Sequence, residues 1–176
     1  GNGNDVRSVI IRSGVTSIPE NTFRGFPLLA SADIAGTVQS IGSNAFYECE
    51  KLERITIRPG VQSIGSCAFY RCLALTDIYL PSSIRSLGAS AFYSCGSMTS
   101  VNIPDGVEDL PDRVFAGCNR LTSIHIPDSV EAVGDSAFYG CSALEEVRLP
   151  EGLANIEART FHSCKALSST RPSRPA

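Results

Sequence analysis

The sequence predicts an α/β solenoid, with a parallel strand sheet on one face and one-turn helices or short extended pieces elsewhere. Three observations carry that prediction. Phe23, Phe46, Phe69, Phe92, Phe115, Phe138 and Phe161 recur every 23 residues. Three positions after each Phe stands Phe26, Cys49, Cys72, Cys95, Cys118, Cys141 or Cys164. Six positions after it stands Leu29, Leu52, Leu75, Met98, Leu121, Leu144 or Leu167. A fixed register of ring, small residue and aliphatic is what stacked coils require, because each coil buries the same positions against the next.

Within one coil, Leu52, Ile55 and Ile57 point inward, and the Ile55-Thr56-Ile57 alternation reads as a short strand. A proline-containing turn follows, at Pro59 here and at Pro81, Pro104, Pro127 and Pro150 later. Val61 and Ile64 then face inward from the opposite wall, and Gly65 permits a tight bend. Ser66 to Cys72 returns the chain, with Ala68, Phe69 and Cys72 spaced for one helical turn. Ser66, or Asp112 and Asp135 in later coils, is placed to cap that turn.

Strands stacked at the usual spacing would make seven such coils a rod of roughly 34 Å. The expected organisation is a lead-in over residues 1–8, partly disordered, a single solenoid over 9–170, and a disordered tail over 171–176.

The consensus Leu-x-x-Ile-x-Ile-Pro-x-x-Val-x-x-Ile-Gly-x-x-Ala-Phe-x-x-Cys resembles the BspA-like leucine-rich repeat, over about nine tenths of the chain. The resemblance implies a leucine-rich-repeat solenoid serving as a secreted or cell-surface recognition and adhesion module of bacterial type, not an enzyme. Ala32 departs from the pattern in the second strand, and Pro111 and Glu157 replace the bend glycine.

Composition narrows the function classes. The 176 residues carry a net charge of −3, which argues against a protein that binds nucleic acid by neutralising phosphates. No apolar run approaches the ~20 residues of a spanning helix, and no basic-then-apolar leader opens the chain, so neither membrane insertion nor a signal peptide is expected here.

Catalytic signatures are absent from the sequence. His125 lies between two strand isoleucines and points outward; His162 takes a slot held elsewhere by Tyr. Neither Gly-x-Ser-x-Gly nor His-Glu-x-x-His occurs. The expectation is no catalytic residue, no metal and no cofactor.

The cysteine ladder has two chemical readings and one packing reading. Zinc sites want close cysteine pairs, whereas ladder neighbours here are 23 residues apart. Disulfides between stacked coils fit the Cα spacing but not the torsion that parallel side chains present. Small buried hydrophobes are the favoured reading, and Phe26 in the first slot agrees with it. Cys67 lies off the ladder, in a slot filled elsewhere by Asn44, Ser90 and Arg113, and is expected to be an exposed thiol.

Two surfaces are candidates for recognition. The outward strand rows hold Arg54, Asp77 and Glu146, and Thr56, Tyr79, Asn102, His125 and Arg148, chemically varied on a monotonous core. Varied residues on a fixed frame suit a recognition surface for a protein or a glycan. The second strip is Tyr47, Tyr70, Tyr93 and Tyr139, each just after a repeat Phe; Arg24, Ala116 and His162 fill the other slots. It reads either as a ligand-stacking column or as half-buried packing. The alternatives to recognition are a spacer rod presenting another domain and an intracellular interaction scaffold, which reduced cysteines would suit. A monomer, or weak end-to-end self-association through open sheet edges, is expected.

Overall fold

The computed structural model describes residues 3–172. One wall is a column of parallel strands: β1 (Ser8–Ile11), β3 (Ser31–Ile34), β5 (Arg54–Ile57), β7 (Asp77–Ile78), β9 (Ser100–Val101), β11 (Ser123–His125), β13 (Glu146–Leu149) and β14 (Ser169–Pro172). The facing wall carries β2 (Ser17–Ile18), β4 (Ser40–Ile41), β6 (Ser63–Ile64), β8 (Ser86–Leu87), β10 (Asp109–Leu110) and β12 (Ala132–Val133). Pairing follows the 23-residue register, as in Ile10↔Asp33, Asp33↔Thr56 and His125↔Arg148.

The core runs the length of the stack between the walls. Phe46, Phe69, Phe92, Phe115 and Phe138 are wholly buried, with ring centroids 5.3–5.6 Å apart and nearly parallel planes. Phe26, in the first cysteine slot, meets Phe23 edge-on at 5.5 Å.

The expected one-turn helix does not form: the described residues contain no helix, so the fold is a parallel-strand β-solenoid without the α component. Ser66–Cys72 and its counterparts are tandem turns. Alternate N–H groups bond three residues back, as Tyr70 to Cys67 and Cys72 to Phe69, while Cys67, Phe69 and Arg71 donate to Ala89, Ala91 and Tyr93 of the next coil. That alternation needs left-handed residues two before and two after the repeat Phe. Asn44, Glu48, Cys67, Arg71, Ser90 and Ser94 all have φ of 54–56°. A helix would satisfy each N–H within its own coil; the stacked turns instead use half of them to tie coil to coil.

Gly65, expected to provide a bend, serves close approach instead. Its φ is not in the left-handed region. A Cβ there would come within 2.5 Å of Ser43 N on the previous coil.

Proline decides where the ladders stop. Gly42, Gly65 and Gly88 donate to Ile18, Ile41 and Ile64, and Gly134 to Leu110. Pro111 has no N–H to offer Leu87, and the facing sheet breaks between β8 and β10. On the other wall, Arg58 donates to Ile34, but Pro81 stands at the matching place one coil on, and the sheet breaks between β5 and β7.

The last strand, β14, pairs with β13 through Arg148↔Arg171 and Leu149↔Pro172. Arg171 and Pro172, assigned above to a disordered tail, therefore belong to the ladder. Residues 173–176 of that tail, and residues 1–2 of the lead-in, lie outside the described residues.

Candidate functional site

The strand wall presents its outward row as alternation dictates: Arg54, Thr56, Asp77, Tyr79, His125 and Arg148 are exposed, whereas Asn102 and Glu146 are half-buried. Tyr79 is 72% exposed, an unusual place for a large ring in a chain that buries its Phe column. The structure gathers these residues into two shallow depressions. Asp77, Tyr79, Ser100 and Asn102 line one of about 500 Å³. Ser123, His125, Glu146 and Arg148 line another of about 210 Å³. Arg54 and Thr56 line neither.

Electrostatics on this wall are local. Arg148 Nε lies 3.5 Å from Glu146 Oε1, an exposed pair in high dielectric. Arg58 donates from Nε and a terminal nitrogen to the two Asp33 oxygens at 3.0 and 2.8 Å. Those hydrogen bonds hold the Asp33 carboxyl below the usual carboxylate range.

Asn102 has a task that sequence reasoning missed. Pro104 supplies no N–H for the Leu80 carbonyl. Asn102 Nδ2 donates to that oxygen at 2.8 Å, and Asn102 Oδ1 accepts from the Leu80 N–H at 2.9 Å. Its amide is thus committed to the backbone of the neighbouring coil. The signal was available: each proline one residue past a strand orphans a carbonyl one coil back.

The tyrosine strip is a physical stack. Tyr47, Tyr70 and Tyr93 lie 4.7–4.8 Å apart with planes within 5° of parallel. Arg24 caps the first ring, its guanidinium carbon 4.7 Å from the Tyr47 centroid. Tyr139 stacks on His162 at 5.2 Å. Burial, and then the flanking tyrosines, push the Tyr70 hydroxyl above its ordinary value.

All described cysteines are free thiols. Cys49 to Cys141 on the ladder are wholly buried, and burial pushes their thiols up, to about 11 for Cys49 and about 12 for Cys95. Cys67, expected to be exposed, is half-buried, and burial raises its pKa too. It sits in the left-handed slot, with φ of 54°, and its backbone N–H donates to the Ala89 carbonyl of the next coil.

The BspA-type leucine-rich repeat profile, of six copies, matches residues 2–122 and 108–174. This chain belongs to the BspA-type leucine-rich repeat family. Among solved structures, the BspA-type coil seen here is similar to a leucine-rich cell surface protein of Faecalibacterium prausnitzii, at 26% identity and TM-score 0.68, over 98% of this chain and 61% of that one. It is similar to a leucine-rich repeat protein of T. pallidum, at 27% identity and TM-score 0.60, over 82% of this chain and 79% of that one. The pneumococcal vaccine antigen PcpA shares the fold, at 18% identity and TM-score 0.70, over 97% of this chain and 62% of that one. This BspA-type chain therefore spans about three fifths of the F. prausnitzii protein's length. No curated protein matches it.

Proposed function

We propose that this BspA-type chain is a non-enzymatic, extracellular or cell-surface recognition module that binds a protein through its strand wall, with Tyr79, His125 and Arg148 as contacts. One observation carries the reading: a row of varied, exposed side chains, led by the 72% exposed Tyr79, on a frame whose inward positions barely vary. Large exposed aromatics beside a depression are the groups that anchor protein interfaces. The cell-surface description of the F. prausnitzii relative supports the location. The repeat family supports protein interaction as the activity.

The test is a binding screen of this chain against extracellular-matrix proteins and a glycan array, beside the triple variant Tyr79→Ala/His125→Ala/Arg148→Ala. Loss of a protein hit in a variant with unchanged thermal unfolding is the expected result. A hit retained by the variant moves the site off the strand wall. Hits confined to glycans overturn the choice of partner class.

A further inference from the structure

The aromatic stack on the turn wall has one missing rung. Tyr47, Tyr70 and Tyr93 follow one another at 4.7–4.8 Å, and Tyr139 and His162 continue at 5.2 Å. Between Tyr93 and Tyr139 the slot belongs to Ala116, whose methyl is buried. The two tyrosines are therefore two coil steps apart with no ring between them. Tyr93 is covered by Tyr70 on one side, and Tyr139 by His162 on the far side. Tyr139 is left 42% exposed.

The gap is a depression of about 260 Å³, lined by Tyr93, Arg113, Ala116, Ser136, Tyr139 and Arg159. Its charges are unequally engaged. Arg159 donates to both Asp135 oxygens, at 3.2 and 2.9 Å, and the Ser136 hydroxyl donates to Asp135 at 3.1 Å. Arg113, on the same coil as Ala116, is exposed, and its guanidinium has no partner among the described residues.

We propose that this gap is a binding slot for one aromatic side chain of a polypeptide partner, with an acidic residue beside it. The stack's own register sets the width: one ring at the missing position would meet Tyr93 and Tyr139 at the spacing the other rungs keep. Two ring faces favour a flat π-system in offset stacking. The slot is smaller than the ~300–1,000 Å³ that encloses a whole small molecule, so it takes a side chain rather than a free ligand. Arg113 supplies an unpaired cation at the rim, which selects a carboxylate on the neighbouring residue. This site is distinct from the strand wall and does not depend on the reading given for that wall.

The chain contains no Trp, so a Trp-bearing probe reports on its own fluorescence. The probe is the capped peptide Ac-Asp-Trp-Gly-NH2, titrated into the chain, with Ac-Asn-Trp-Gly-NH2 and Ac-Asp-Leu-Gly-NH2 as controls. Saturable quenching by the first peptide in the millimolar range or tighter is expected, with no competition from the Leu peptide. The Asn peptide should bind roughly two- to fivefold more weakly. Ala116→Tyr restores the rung and should abolish binding while raising the thermal midpoint. Arg113→Gln should leave the midpoint unchanged and erase the Asp-over-Asn preference. Binding retained by folded Ala116→Tyr, or no saturation by the Asp-Trp peptide, overturns the slot. Equal binding of the Asp and Asn peptides overturns the role of Arg113. Should Ala116→Tyr fail to fold, Tyr139→Ala, which removes one face of the slot, decides in its place: retained affinity overturns the slot.

Discussion

The Cys95 thiol donates its hydrogen to the carbonyl oxygen of Phe69, one coil back, at 3.2 Å, and the same oxygen accepts the Cys72 N–H at 3.2 Å. The contact repeats along the ladder, from Cys49 with Phe23 at 3.0 Å to Cys164 with Phe138 at 3.1 Å. Each ladder cysteine packs in or against the core and gives the carbonyl of a repeat Phe a second partner. This explains a thiol where a methyl would also pack. Ladder thiols should therefore resist alkylation in the native state. With iodoacetamide near pH 8, mass spectrometry should find Cys67 and Cys164 labelled well before Cys72, Cys95 and Cys118, which react only on unfolding. Labelling of Cys95 at the rate of Cys67 would contradict the buried assignment.

The same thiols predict how stability depends on pH. Burial raises the folded pKa of Cys95 to about 12 and of Cys49 to about 11, above the ordinary thiol value. For a group raised in the folded state, the neutral form is the stabilised one. Its contribution is complete below the unfolded pKa and is lost as pH climbs through the folded one. The thermal midpoint should stay level to about pH 8.5 and then fall toward pH 12. Cys95→Ala should show a shallower fall, by up to one proton's worth of slope. An identical slope in variant and parent would mean that Cys95 titrates alike in both states.

The phenylalanine column should be most sensitive in its middle. Phe92 is wholly buried between Phe69 and Phe115, at 5.4 Å from each. Phe92→Ala should cost about 3–5 kcal/mol by urea unfolding. Phe23, nearer an end and 9% exposed, should cost less on the same substitution. The reverse order would place the weak point of the stack in its centre.

Gly60 should tolerate no side chain. Its φ is 132°, and a Cβ built there would collide with the Gly36 carbonyl oxygen of the previous coil. Gly60→Ala should destabilise by roughly 2 kcal/mol or more, from backbone strain and the forced separation of two coils. Gly152, where an added Cβ meets nothing within 4 Å, is the control: Gly152→Ala should change stability by less than about 0.5 kcal/mol.

Much of the fold was legible because burial is periodic. Phe69, Cys72, Leu75, Ile78 and Ile64 are buried as their spacing required, and Tyr79 and His125 face outward as alternation required. The turn segment was not legible. Ala68, Phe69 and Cys72 carry helical spacing, yet the positive φ at Cys67 and Arg71 turns the chain away from a helix. Cys and Arg do not announce a left-handed conformation as glycine does; Gly25, Gly117 and Gly140 hint at it in the slot of Arg71, and Asn21 and Asn44 in the slot of Cys67. At the candidate surface, the row from Asp77 to Arg148 could be read from register. The commitment of the Asn102 amide to Leu80 depended on which carbonyl Pro104 left unpaired.

By itself, the sequence determined the 23-residue register, the identity of the buried columns and the family. Each follows from which side chains leave water, and composition at fixed spacing records that directly. Only the tertiary structure decided the backbone path of the turns, the breaks in the two sheets at Pro81 and Pro111, and the stacking of the tyrosine rings that opens a depression at Ala116. Those depend on where each N–H finds its acceptor and on what the adjacent coil presents across a step of about 5 Å. Such partners lie 22 to 26 residues away in the chain, beyond the reach of any local pattern.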